Sequence, residues 1–234
     1  MTKTTSGGWM VLAELGHLML FGFALAADSR WIWTFALGAS GLLAFSAWIA
    51  ARRRSDAMEI TPRSRIASAA QGYVELAGTA ETAGDGQLSD PVTGTECAWF
   101  HVESFHREGS GDHETWEHAG RAHSKRPIGL RDDSGLCLLH HEGAEIAVGV
   151  PDTVMTDPDT RHWIWRIRTG DPLYAIGHFR TVVLPAPGHA MWAPLDGRPY
   201  LISNKPQAAT LRRFRWRQWF HIGLFALVTL YALS

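Results

Sequence analysis

Two apolar stretches, Trp9 to Ala27 and Trp31 to Ala51, are each about 20 residues long. At 1.5 Å per helical residue that is close to the roughly 30 Å of hydrocarbon a membrane helix must cover. Only Asp28, Ser29 and Arg30 separate them, so they predict a transmembrane helical hairpin with spans over about 9–27 and 31–51. The chain closes on a further apolar run. From Trp219 to Leu233 it covers about 22 Å, and a start at Trp216 with Arg217 snorkelling extends it to about 28 Å, so a third span is expected. Trp216, Trp219 and Phe220 stand where rings at headgroup depth are favoured. Between Ile222 and Leu233 only Thr229 and Tyr231 carry polar atoms, too few for the wet face of a soluble amphipathic helix. The small residues Ala24-Leu25-Ala26 before Ala27 look like a signal-peptidase site, but Lys3 is a weak basic leader and Glu14 interrupts the apolar core.

Charge sets the orientation. Arginine and lysine near span ends stay cytoplasmic. Arg52, Arg53 and Arg54 end the second stretch, and Arg212, Arg213, Arg215 and Arg217 begin the third. The residues between, about Ser55 to Leu211, are therefore expected in the cytoplasm of a multi-pass protein. Nineteen arginines against three lysines fit a GC-rich bacterial genome, hence a bacterial inner membrane. The middle stretch holds 13 Lys or Arg against 21 Asp or Glu, a balance of −8 that repels phosphates, so no nucleic-acid partner is expected. Membrane lipid is expected from the spans, the acidic balance fits a basic protein partner and a domain repelled by anionic headgroups, and a homo-oligomer is compatible with both.

The middle stretch reads as strands. Gly72 to Ala80 alternates polar and apolar residues before Gly84-Asp85-Gly86. Thr95 to Phe105 leads through Gly109-Ser110-Gly111-Asp112 into His113 to Glu117, a hairpin. Pro127 to Leu130 and Leu136 to His140 flank the turn Asp132-Asp133-Ser134-Gly135, a second hairpin. Trp163 to Ile167, Pro172 to Gly177 with Phe179 to Leu184, and Tyr200 to Ile202 add strands. After Ser203-Asn204-Lys205-Pro206 helix-start signals lead without a breaker into the closing run. The expected layout is a membrane-anchored α+β protein: a hairpin over 1–54, a cytoplasmic β-rich domain over 55–204 that opens with a linker from Ser55 to Thr61, and a juxtamembrane helix continuing into the third span over 205–234.

Signs of chemistry are sparse. His113, His118 and His123 recur every five residues, Cys97 stands four before His101 and Cys137 three before His140. In a strand the last pair would face opposite ways, and neither CxxC nor HExxH spacing occurs, so no metal and no cofactor are expected. Cys97 has no neighbouring cation to make it a thiolate, and no GxSxG elbow or phosphate loop is present. Asp132-Asp133 belongs to a turn. Glu14 and His17 share one face of the first apolar stretch and read as a mutually satisfied intramembrane polar pair, a proton path being the competing reading.

Several segments in order resemble the GIDE domain, also called the BAM or beside-a-membrane domain, of organellar membrane E3 ubiquitin ligases. They are Gly72-Tyr-Val-Glu-Leu-x-Gly78, Leu88-Ser-Asp-Pro91-x-x-Gly94-x-x-Cys97-Ala-Trp-Phe100, Pro127-Ile-Gly-Leu-x-Asp132-Asp133-x-Gly135, Asp171 to Gly177 and Arg198 to Ser203. The resemblance implies a β-rich domain beside a bilayer, used for recognition, with Gly72, Gly78, Pro91, Gly94, Cys97, Asp133, Gly135, Gly177 and Ser203 as structural pattern residues and no catalytic ones. The ligases carry a zinc-binding RING after their last span; the sequence here stops at Ser234 without one. The expected function is a non-catalytic binding, sensor or scaffold module. The alternatives are a ubiquitin-ligase-like transferase component or metal-dependent hydrolase, and a structural subunit of a membrane assembly.

Overall fold

The computed structural model describes residues 16–17, 19–20, 22–23, 26, 29–84, 86–109, 114–182, 188–205 and 207–233. The chain divides into a helical unit and a β-rich unit over Pro62–Pro206.

In the helical unit, α1 (Arg30–Ile60) buries Ala36, Ser40, Ala44, Ala47, Ala51 and Ser55, a narrow stripe of small residues at helical spacing. Helix α2 (Gln207–Leu233) runs antiparallel along it. Arg215 pairs with Glu59, Ser55 Oγ donates to Gln218 Oε1 at 3.3 Å, and the rings of Phe45 and Phe225 lie 5.8 Å apart. Trp31, Phe35 and Leu42 turn outward, each at least 74% exposed.

The three-span expectation does not hold. Among the described residues one helix, Arg30–Ala57, is long and apolar enough to cross a membrane. No spanning hairpin and no C-terminal span accompany it there, and most of the first expected span, 9–27, lies outside the described residues. The reason at the C-terminus is the composition of α2. Its first half carries Arg212, Arg213, Arg215, Arg217, Gln218 and His221, and the unbroken apolar run from Ile222 covers only about 18 Å. Snorkelling rescues one arginine at a span end, not half a helix of polar groups. The linker expected over Ser55 to Thr61 is likewise helix up to Ile60. No breaker occurs before Pro62, and the extended Thr61 (φ −80°, ψ 118°) is the residue that proline forces out of the helix.

The β-rich unit contains eleven described strands: β1 (Gly72–Thr82), β2 (Trp99–Glu108), β3 (Thr115–His123), β4 (Ile128–Arg131), β5 (Leu136–Leu139), β6 (Glu145–Ala147), β7 (Asp152–Asp157), β8 (Thr160–Ile167), β9 (Pro172–Val182), β10 (Gly188–Trp192) and β11 (Leu201–Ser203). One sheet has the order β1-β4-β5-β10-β9 and closes through β9 onto β1, making a five-stranded barrel. All neighbours are antiparallel except β5 and β10. This is Greek-key connectivity of the kind found in OB-type barrels, a fold that does not specify a ligand. Strands β11 and β6 extend the sheet along the free edge of β9. The alternation seen in the sequence fills the barrel: Val74, Leu76, Ile128, Leu130, Leu139, Phe179 and Met191 point inward and are nearly or fully buried. Closure needs long strands shared between two neighbours. Residues 72–79 of β1 pair with β9, and 79–82 pair with β4.

The second sheet, β3-β2-β8-β7, is antiparallel throughout. Phe100, Val102 and Ile164 line its inner face, and Cys97 packs on them with Leu88 and Val92 from the loop before β2. Asp90 fixes that loop. Its carboxylate accepts from the amides of Val92 and Thr93 (3.1 and 2.7 Å), from Thr93 Oγ1 (2.6 Å) and from Arg166 Nε (3.0 Å) on β8.

Candidate binding face on the four-stranded sheet

The residues carrying the family pattern fall at backbone constraints, and they do not converge on one site. Gly78 sits where β1 leaves β9 for β4, and a Cβ there would lie 2.0 Å from the carbonyl oxygen of Arg131. Only glycine permits that approach. Gly94 (φ +68°) and Pro91 belong to the turn that Asp90 organises, with Cys97 buried behind it. Gly72 opens β1, Gly177 lies under the ring of Tyr200, and Ser203 Oγ donates to Ala147 O at 3.0 Å. In the β4–β5 turn the organising residue is Asp132, not Asp133: its carboxylate accepts from the amides of Ile66, Ser134 and Gly135 (2.9, 2.7 and 2.9 Å), while Asp133 pairs with Arg65 at the surface. Gly135 makes room for Ile66. A cleft of about 660 Å³ beside Gly78 is lined by Arg63, Arg65, Arg131, Asp132 and Asp133. Arg65 is paired with Asp133 and Arg131 with Glu81, and the Asp132 carboxylate is taken up by backbone amides, so most of its charge is already engaged.

Of the topology-setting arginines, Arg52 reaches Asp56 at 3.5 Å, Arg53 is exposed, Arg54 Nη1 donates to Ala50 O at 2.9 Å, Arg212 is exposed and Arg215 holds Glu59. The side chains of Arg213 and Arg217, and Glu14 and His113 entirely, lie outside the described residues. His17 is buried with Nδ1 2.8 Å from Ser40 Oγ. Among the described residues no three His, Cys, Asp or Glu side chains are placed to hold a metal ion. Burial, with Asp90 adding to it, raises the Cys97 thiol to about 11; burial, with Asp132 adding to it, raises Cys137 to about 12. Neither is a thiolate at neutral pH. Glu75 is buried in the barrel wall and accepts from Tyr174 Oη at 3.1 Å; burial raises its pKa against the opposing pull of that bond and of Arg63.

A different constellation stands out on the outer face of the second sheet. Strand β2 contributes His101, Glu103, Phe105 and Arg107, and the register sets Trp165, Trp163 and Arg161 of β8 opposite the first three. On the other side β3 sets His123, Arg121, His118 and Trp116 opposite the same four. The pairing slips by one residue between Ser104 and Phe105, so Ala119 has no partner and forms a bulge. Without it Trp116 and His118 would face away from Arg121 and His123. The rings make a continuous strip: His101 to Trp165 at 5.4 Å, Trp165 to Trp163 at 6.4 Å, Trp163 to Phe105 at 4.5 Å and Phe105 to His118 at 5.7 Å. The Arg161 guanidinium lies over Trp116, Trp163 and Phe105 at 4.5, 5.2 and 5.4 Å from their centroids. Such stacking favours the cation electrostatically.

At the inner end His101 is buried against Trp99 and Trp165. Burial lowers its pKa, and the neighbouring Glu103, 3.4 Å from Nε2, only partly opposes this. His141, packed edge-on to Trp99, is lowered by burial in the same way. At the outer end Arg107 is tied to Asp159 (2.7 Å) and Glu114 (3.2 Å). Arg121 and Arg161 make no ion pair among the described residues. Trp116, Phe105, Trp163 and Trp165 are all half-buried. Large rings held in place yet open to solvent are what binding surfaces use as anchors. The alternating Trp163-Ile164-Trp165 was the sequence signal for this face, but strict alternation along β3 hid its other half. No family model matches the chain, and searches of curated proteins and of solved structures find no match.

Proposed function

We propose that this protein is a membrane-tethered binding module of a bacterial inner membrane, holding its β-rich unit on the cytoplasmic side and engaging a protein partner without catalysis. The observation that carries the binding reading is the strip of half-buried rings around Arg161. Tethering draws on the apolar helix Arg30–Ala57, whose outward Trp31, Phe35 and Leu42 suit lipid. Arg52 to Arg54, at the end of its apolar run, favour cytoplasmic placement of the β-rich unit. The resemblance to beside-a-membrane domains supports recognition as the use.

Both halves are testable. Leu195 is 96% exposed, so Leu195→Cys should react with a membrane-impermeant maleimide only after the cells are broken. Reaction in intact cells refutes the cytoplasmic placement. A photo-cross-linking residue at His118, on the strip, should give a discrete protein adduct in native membranes that the same residue at Leu195 does not give. Identical adducts at both positions would remove the face from consideration.

A further inference from the structure

Resting on that reading of the face, we propose that its partner is an acidic peptide segment bearing aromatic or aliphatic side chains. The charge of the face is inverted relative to the rest of the unit. The stretch from Ser55 to Leu211 carries −8, yet two of the strip's three arginines, Arg121 and Arg161, are not neutralised among the described residues. Arg107 is matched by Asp159 and Glu114, while Glu103, the cross-strand neighbour of Arg121, lies against His101 instead. Arg121 is exposed and Arg161 is half-buried, and neither has a carboxylate within ion-pair distance among the described residues. The Nε of Arg161 is also buried without a hydrogen-bond acceptor among the described residues. A guanidinium held in this way is a fixed, partly desolvated cation, where a carboxylate gains more than it would in open water.

The rings select the rest of the ligand. Trp116, Phe105 and Trp163 around Arg161 offer apolar area beside the charge, so the occupant needs an apolar group next to its acidic one. A neutral glycan would use the rings and leave the cations unmatched. A long nucleic-acid strand would run its phosphates past Glu114, Asp159 and the acidic surroundings, where like charges repel it. From His101 to Arg107 the strip is about 20 Å long, room for about six residues of extended peptide.

The test is selection from a random dodecapeptide phage library on the full chain in lipid nanodiscs, with empty nanodiscs as counter-selection. Recovered peptides should be enriched in Asp and Glu together with Phe, Trp or Leu. A synthetic peptide of the consensus should bind about tenfold more weakly to Arg121→Glu and to Arg161→Gln. The copy with Lys in place of its acids should prefer the Arg121→Glu protein. Arg121 is exposed, so its variant is informative even if Arg161→Gln does not fold. Enrichment of neutral or basic peptides, or affinity indifferent to Arg121→Glu, overturns the acidic class while leaving the face a binding surface. Tighter binding of a single-stranded oligo(dT) dodecamer than of the consensus peptide overturns it in favour of a polyanion. No enrichment above empty nanodiscs removes the binding surface itself, and the proposal with it.

Discussion

Replacing Asp90 by Asn would change one atom and remove the charge that fastens the loop before β2 to the second sheet. In the folded chain Asp90 Oδ1 takes the amides of Val92 and Thr93, and an asparagine oxygen can keep those bonds. Oδ2 takes Thr93 Oγ1 and Arg166 Nε, and there the Asn amino group would meet a guanidinium donor. The side chains are 0% exposed at Asp90 and 7% at Arg166, so little water can compensate. Breaking one partner of a buried pair costs about 3–5 kcal/mol. Arg166 retains Asp152 and Thr93, which places the cost near the lower end, about 3 kcal/mol. For a unit of this size that is a fall in melting temperature of about 6–12 °C, to be read by near-UV circular dichroism of the full chain in detergent.

The pH dependence separates charge from shape. Burial works to raise the Asp90 pKa, but the hydrogen bonds from Thr93 and Arg166 outweigh it and hold the carboxyl below the ordinary aspartate value. Its stabilising contribution is therefore complete above the unfolded pKa and is lost as pH falls through the folded one. The gap between wild type and Asp90→Asn should be widest at pH 7 and shrink below about pH 4. A shift under about 2 °C at pH 7, or a gap as wide at pH 3 as at pH 7, would refute the reasoning.

Gly78→Ala should destabilise the barrel by about 1–3 kcal/mol, because its Cβ meets the backbone of Arg131 at 2.0 Å, whereas Gly120→Ala, with nothing within 4 Å, should melt like wild type. Equal melting of the two would mean that β1 and β4 relax freely. Cys97 and Cys137, both fully buried, should resist iodoacetamide in the native protein and react after denaturation, as read by intact mass; native labelling of either would contradict its burial. Burial lowers the pKa of His101 and His141, so both add protons on unfolding in mild acid and stability should fall as pH drops from 7 to 5. The double variant His101→Phe/His141→Phe should flatten that slope in chemical denaturation, and an unchanged slope would place the acid sensitivity elsewhere.

Much of the β-rich unit is local enough to be legible in the sequence. The hairpin of β4 and β5 announces itself through Asp132 and Gly135, and the alternation of β1 fixes which side chains enter the core. Strand β11 was legible as Tyr200 to Ile202, whereas β6, three residues long and paired with β11 far along the chain, the exposed β7 and the short β10 carry little periodicity. The same limit governs the spans. Apolar length in the sequence marked three runs, and only α1 passes as a span among the described residues; whether a run spans depends on how many polar groups share its helix, and in α2 they fill half of it.

The amino-acid order by itself determined the apolar helix, the acidic balance of the middle stretch, and the glycines and aspartates that shape its turns, since each is a property of neighbours along the chain. Barrel closure through β1 and β9 and the choice of Asp132 over Asp133 were decided only by tertiary structure. So was the face where Trp116 joins Trp163 around Arg161. A single unpaired residue, Ala119, reverses which side chains of β3 share that face, and a bulge of this kind is set by cross-strand pairing that no periodicity within β3 records.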